Sequence, residues 1–129
     1  MATVQRFEDL NVWKMARDYC SDVFRITCYE QFSKDYRFRD QIRASAGSIM
    51  DNIAEGFERD GNKEFCQFLS IPKGSCGESR SQLHRSFDFK YIENEEYETL
   101  CQKTVDISKA ISALINYLKQ SEIKGVKYK

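Results

Sequence analysis

Apolar residues recur at intervals of three and four along four successive stretches of the chain, which is the period of an α-helix and not of a strand. In the first stretch Leu10, Trp13, Ala16, Cys20, Val23, Phe24 and Thr27 share one side, while Arg17, Asp18, Asp22 and Arg25 occupy the other. This predicts an amphipathic helix ending near Tyr29. Glu8 and Asp9 stand where it would begin, beside the positive end of its dipole, and Phe7 is placed to staple its entry. The link from Glu30 to Lys34 is polar apart from Phe32. Ser33 is the expected cap of the next helix, with Asp35 in its first turn.

The second stretch, and within it Gln41 to Phe57, organises the rest. At about 100° per residue, Ile42, Ala46, Ile49, Ile53 and Phe57 fall on one line. Met50 and Ala54 widen that line on one side; Ser45, Asn52 and Gly56 flank it on the other. The uncharged arc covers about half the wheel, more than the stripe of an ordinary surface helix. Such a helix should touch more than one neighbour, and the small residues Ala44, Ser45, Ala46, Gly47 and Ser48 let neighbours come close.

Asp60, Gly61 and Asn62 are turn residues. A third helix should run from there to about Tyr91, with Phe65, Phe68, Leu69, Pro72, Cys76, Ser79, Leu83 and Phe87 on its apolar line. Pro72 lacks the amide that would bond the carbonyl of Phe68, so an irregularity is expected nearby. Gly74 and Gly77 weaken the same helix by close to 1 kcal/mol each relative to alanine. Asn94 is the expected cap of the last helix, whose line runs from Tyr97 through Leu100, Cys101, Thr104, Ile107, Ile111 and Leu114 to Leu118. The residues from about Ser121 to Lys129 read as a basic, mobile tail. Four helices with short links imply one all-α domain over residues 1–129, an antiparallel up-down-up-down four-helix bundle.

Composition narrows the function classes. Twenty basic residues balance twenty acidic ones, so any attraction to nucleic acid must come from local patches and not from overall charge. The five cysteines, Cys20, Cys28, Cys66, Cys76 and Cys101, are odd in number and widely spaced. They read as small buried hydrophobes in a reducing compartment, not as a disulfide framework. His84 is the only histidine and no C-x-x-C pair occurs, which leaves no zinc pattern. No signal peptide or membrane span is evident at the start or beyond. A cytoplasmic protein without cofactor or small-molecule substrate is expected.

Two groups of residues remain as candidates. Lys73-Gly74-Ser75 has the wrong order for a phosphate loop, and one histidine with no surrounding motif makes no nucleophile pair. Ala44, Ser48, Asp51, Asn52 and Glu55, however, line one side of the central helix, part small and part polar. This is either a solvated face or a polar seam against another subunit. Lys73, Arg80 and His84 stack along the third helix at spacings of seven and four. They form either a solvated flank or a short track for phosphates. Arg37, Arg39 and Arg43 are interleaved with Asp35 and Asp40 and read as a mutually paired face.

The segments Phe7-Glu8-Asp9-Leu10-x-Val12-Trp13-Lys14-x-Ala16, Gln41-Ile42-Arg43-Ala44-Ser45-Ala46-x-Ser48-Ile49 and Asn52-Ile53-Ala54-Glu55-Gly56 resemble the 23S rRNA intervening-sequence proteins. This S23-like bacterial family includes the accessory variability determinant of diversity-generating retroelements. Lys63-Glu64-Phe65-x-x-Phe68-Leu69, Gly74-Ser75, Glu78, Gln82-Leu83 and Tyr91-Ile92 continue the likeness over nearly the whole chain. The resemblance implies a small up-down bundle, assembled as a ring-like homopentamer, without catalytic activity. It also implies possible RNA or DNA and a reverse transcriptase as partners, since the retroelement relatives bind both. The alternative is a protein-interaction scaffold with no nucleic-acid role. Two departures stand in the third helix: Pro72 where the family usually has alanine, and Ser79 where it usually has leucine. Losing a buried leucine there implies about 1.5–3 kcal/mol less apolar burial. The neutral net charge departs from the basic retroelement members.

Overall fold

A computed structural model describes residues 4–123. A 3-10 turn at Phe7–Asp9 leads into α1 (Asn11–Thr27), the short α2 (Glu30–Lys34), α3 (Tyr36–Phe57), α4 (Asn62–Phe68), α5 (Ser70–Asp88) and α6 (Asn94–Ile123). There is no strand among the described residues. The long helices pack in a cycle: α1 on α3, α3 on α5, α5 on α6, and α6 back on α1.

Hydrogen bonds between helices set their directions. Gln41, Ser45 and Ser48, ascending along α3, meet Arg85, Gln82 and Ser75, descending along α5. His84 of α5 meets Tyr97 near the start of α6, whereas Lys73 meets Ser108 and Ser112 further along it. Arg25 of α1 bonds Glu96, and the earlier Asp18 and Asp22 bond the later Lys103. Each adjacent pair is antiparallel, as the short links require.

The core follows the predicted apolar lines except on α1, which turns Tyr19 and Ile26, off its line, fully inward and leaves Phe24, on its line, 58% exposed. Ile42, Ala46, Ile49 and Ile53 of α3 are fully buried, together with Tyr19 and Ile26 of α1, Leu83 of α5 and Ile111 of α6. Gly56 shows why the helix after α3 can sit so close. A Cβ there would lie 2.8 Å from Phe68 Cβ and 3.1 Å from Phe65 Cδ1. Only a residue without a side chain fits.

Several expected details are corrected. The Glu30–Lys34 link is itself the helix α2, with Phe32 fully buried. Ser33 lies inside that helix and donates to the Glu30 carbonyl at 2.9 Å. The cap of α3 is therefore Asp35, whose carboxylate accepts from the Phe38 amide at 3.4 Å. Glu8 and Asp9 belong to the 3-10 turn, and α1 starts after them. Phe7 does pack edge-on against Trp13, with ring centroids 5.2 Å apart. Asn94 is already helical, and the Glu93 carbonyl accepts from Tyr97 N at 3.0 Å. Ser121 is a buried part of α6, so no tail begins there; Lys124, Lys127 and Lys129 lie outside the described residues.

The irregularity at Pro72 takes the form of a break. α4 stops at Phe68 and α5 restarts at Ser70. Pro72 thus occupies the first turn of a helix, where an amide has no intrahelical partner to lose. Ser79 also has a specific role: its hydroxyl meets the buried Tyr19 hydroxyl at 2.5 Å. The smaller side chain makes room for a tyrosine head and satisfies it, which offsets part of the lost apolar burial. At the far end of α5, Tyr91 N bonds the Ser86 carbonyl and Lys90 N the Phe87 carbonyl, both at 2.9 Å. This Schellman closure places Lys90 at φ 63°, the left-handed region.

Candidate functional site

The outer side of α3 holds the five seam residues. Ala44, Asp51 and Glu55 are exposed; Ser48 and Asn52 are half-buried. Ser48 Oγ lies 2.9 Å from Ser75 Oγ of α5. Asn52 Nδ2 donates to the Ser48 carbonyl at 2.9 Å and to Ser48 Oγ at 3.0 Å. Glu55 pairs with Arg59 at 3.4 Å. Asp51 faces the α1 side, where its charge adds to burial in raising the Cys20 thiol, burial being the larger cause. The structure therefore divides the five: Ser48 and Asn52 join a polar ladder between α3 and α5, completed by Ser45 Oγ donating to Gln82 Oε1 at 2.6 Å. Asn52 and Glu55 both find partners within the chain.

Lys73, Arg80 and His84 stand together along the α5 flank that faces α6. Their partners are uncharged. Lys73 Nζ donates to Ser112 Oγ at 3.0 Å and Ser108 Oγ at 3.2 Å. His84 Nδ1 lies 2.7 Å from the Tyr97 hydroxyl, and Tyr97 is itself stacked on Phe87 at 4.4 Å. Arg80 is half-buried, with no carboxylate within ion-pair distance among the described residues. Beside His84 an open groove is lined by Tyr97, Glu98, Cys101, Gln102 and Val105. Glu98 is the acidic member of this wall.

The nearby thiols offer no nucleophile. Burial pushes Cys76 up to about 11, against the pull of Lys73 and Arg80. Burial likewise raises Cys20 and Cys101. A thiol that keeps its proton at neutral pH is a poor nucleophile and a poor metal ligand. No group of three or more metal-binding side chains occurs among the described residues. No helix is long and apolar enough to cross a membrane. What the α5 flank can do is hold negative charge.

Sequence reasoning missed the companions of these cations. Tyr97 was read only as core, yet its hydroxyl holds His84. Arg85, outside the line, lies over Phe38, its guanidinium carbon 4.2 Å from the ring centroid. The paired reading of the α3 arginines holds for Arg39, which binds Asp40 at 3.0 Å. It fails for Arg43, which lies on Phe24 and donates to Thr27 Oγ1 at 2.7 Å. No local sequence signal joins these pairs, since Phe24 and Arg43, and Phe38 and Arg85, stand on different helices.

The comparisons with known proteins agree on the kind of molecule. No curated protein matches the chain. A solved structure from Bacteroides thetaiotaomicron, described as a protein of unknown function from the S23 ribosomal protein family, superposes with a TM-score of 0.74. It is 23% identical over 81% of this chain and 97% of that one, a likeness that shows the fold. The family model for 23S rRNA-intervening sequence proteins matches residues 8–113, nearly the whole bundle. On the strength of that match, and of the helical bundle that carries it, the chain belongs to the 23S rRNA-intervening sequence protein family.

Proposed function

We propose that this protein is a non-enzymatic, self-associating bundle of the cytoplasm that holds RNA or DNA along its α5–α6 flank. In this reading it acts as an accessory to a nucleic-acid enzyme, with a reverse transcriptase as the partner that the family resemblance implies. The observation that carries the reading is the row Lys73, Arg80 and His84, which leans on hydroxyls and a phenol and not on carboxylates. From Lys73 to His84 the row extends about 16 Å along the helix. One row is too little for firm binding by a chain of zero net charge. A homopentameric ring would repeat it, and repeated weak contacts on one strand add through effective concentration.

Light scattering on the purified protein should give a mass well above the 15.1 kDa monomer. Binding of labelled RNA, followed by fluorescence anisotropy, should need the oligomer and weaken steeply as salt rises. Lys73→Gln with Arg80→Gln should flatten the salt slope. If the intact oligomer binds neither RNA nor DNA at low salt, the nucleic-acid role is wrong.

The scaffold reading then takes its place, and one observation favours self-association in either case. Gly47, Gly74 and Gly77 lie inside helices, yet a Cβ at each would meet nothing within 4 Å. Nothing among the described residues requires them, although each weakens its helix by about 1 kcal/mol relative to alanine. Low backbone of this kind suits the close approach of a second chain. On a free surface Gly74→Ala and Gly77→Ala should raise stability and leave the mass unchanged; at a packed seam they should lower the mass.

A further inference from the structure

Around the corner from the cation row, where α5 ends beside the start of α3, lies a second patch. Its floor is Phe38, only 4% exposed. The Arg85 guanidinium lies over this ring at 4.2 Å, and its Nη2 donates to Gln41 Oε1 at 3.3 Å. It has no carboxylate partner among the described residues. Arg37, one turn before Gln41 on the same face of α3, is exposed and equally unpaired. Phe89 closes the patch. Its ring stands edge-on to Phe38 at 6.0 Å and to Tyr91 at 5.7 Å, yet is 52% exposed. Tyr91 is anchored by its hydroxyl donating to Asp35 Oδ2 at 2.8 Å, so the platform rests on a fixed support.

We infer that the ligand of this face is single-stranded nucleic acid: unpaired bases stack on Phe89 and Arg85, while phosphates follow Lys73, Arg80 and His84. The inference rests on the nucleic-acid reading above and adds which form is bound. A duplex hides its base faces and could use the cations alone. A phenyl ring and an arginine plane side by side, without an anion of the protein's own to hold the arginine, match the π-faces that an unpaired strand presents. Exposed Asp88, one turn from Arg85 on α5, repels either kind of anion. An acidic polypeptide could pair with Arg85 but offers no flat ring to stack on Phe89.

The test uses the full-length protein at low salt, with fluorescein-labelled oligouridine, an RNA duplex of equal length, and polyglutamate. The single strand should bind at least about tenfold more tightly than the duplex. Phe89→Ala, and Arg85→Lys, which keeps the charge but removes the plane, should each weaken the single strand about tenfold. Neither should change duplex affinity or the salt slope, whereas Lys73→Gln with Arg80→Gln should lower both affinities and flatten the slope. Phe89→Trp, which retains a ring, should bind normally, and its new indole emission should be quenched by the strand. Circular dichroism melts confirm that each variant is folded. If strand and duplex bind alike and the Phe89 and Arg85 variants match wild type, the single-strand inference falls while the nucleic-acid reading stands. If no nucleic acid binds at all, both fall. If polyglutamate binds in a Phe89-dependent way and RNA does not, the patch belongs to an acidic protein.

Discussion

The two flanks of α5 handle polarity in opposite ways. Toward α3, its polar groups are closed into the chain: Ser75 meets Ser48, Gln82 meets Ser45, and further in Ser79 meets Tyr19. Toward α6, its cations lean on neutral hydroxyls and keep much of their hydrogen-bonding capacity facing outward. A buried hydroxyl left alone loses its water without replacement, so the closed flank has to be satisfied internally. An exposed ammonium or guanidinium has no such need. Leaving it without a carboxylate keeps it available to an outside anion. Substitutions on the closed side should therefore change stability, and those on the open side should change binding.

Gly56, where α3 meets the front of the third helix, should be the most sensitive position on the closed side. Gly56→Val must displace Phe68 or Phe65, at about 1–3 kcal/mol or more, and should lower the midpoint of a urea melt accordingly. Tyr19→Phe comes next. It strands the fully buried Ser79 hydroxyl, with an expected loss of about 1–3 kcal/mol. Adding Ser79→Ala should recover part of that loss in a double-mutant cycle. Strict additivity would mean that the two hydroxyls are not coupled and that the closed flank is overstated.

The closed flank also predicts an alkaline limit. Burial lifts the Cys76 thiol from 9.0 to about 11 and raises Cys20, Cys101 and Tyr19 as well. Above about pH 9 the unfolded chain releases protons that the folded chain still holds. Stability should be unaffected by these groups below that point and fall as pH rises toward 11. Cys76→Ala should soften the fall, as read from melts between pH 8 and 11.

The smallest expected effects lie at the exposed positions. Lys90→Gly relieves a left-handed residue at the end of α5 and should stabilise by up to about 1 kcal/mol. Lys73→Gln with Arg80→Gln should shift stability by no more than about 0.5 kcal/mol, while altering nucleic-acid binding. A large stability loss from that pair would erase the distinction between the flanks.

Most of the bundle was legible in its sequence because helix period and apolar spacing are properties of neighbouring residues. The apolar lines, apart from Phe24, Tyr19 and Ile26 on α1, the primacy of the stretch around Ile49, and a defect near Pro72 all follow from local rules. Helix starts were less legible. Ser33 and Asp35 are both good caps, and the choice went to Asp35 because buried Phe32 draws the preceding residues into a helix of their own. The candidate cations were found by spacing alone. Their partners were not, since Tyr97, Ser108 and Ser112 lie on another helix.

By itself, then, the sequence determined where the four long helical stretches lie, broadly which face of each is apolar, and that short links make neighbours antiparallel; that the Glu30–Lys34 link is a helix too was not legible in it. Tertiary structure alone decided that Ser79 is a partner for Tyr19 and not merely a lost leucine, that Asn52 is satisfied by Ser48 next to Ser75, and that Arg85 lies on Phe38. The physical reason is range. Backbone periodicity is written within one turn of chain, whereas a hydrogen bond or a ring contact depends on which helix happens to lie alongside, at a register set by the packing of the whole core.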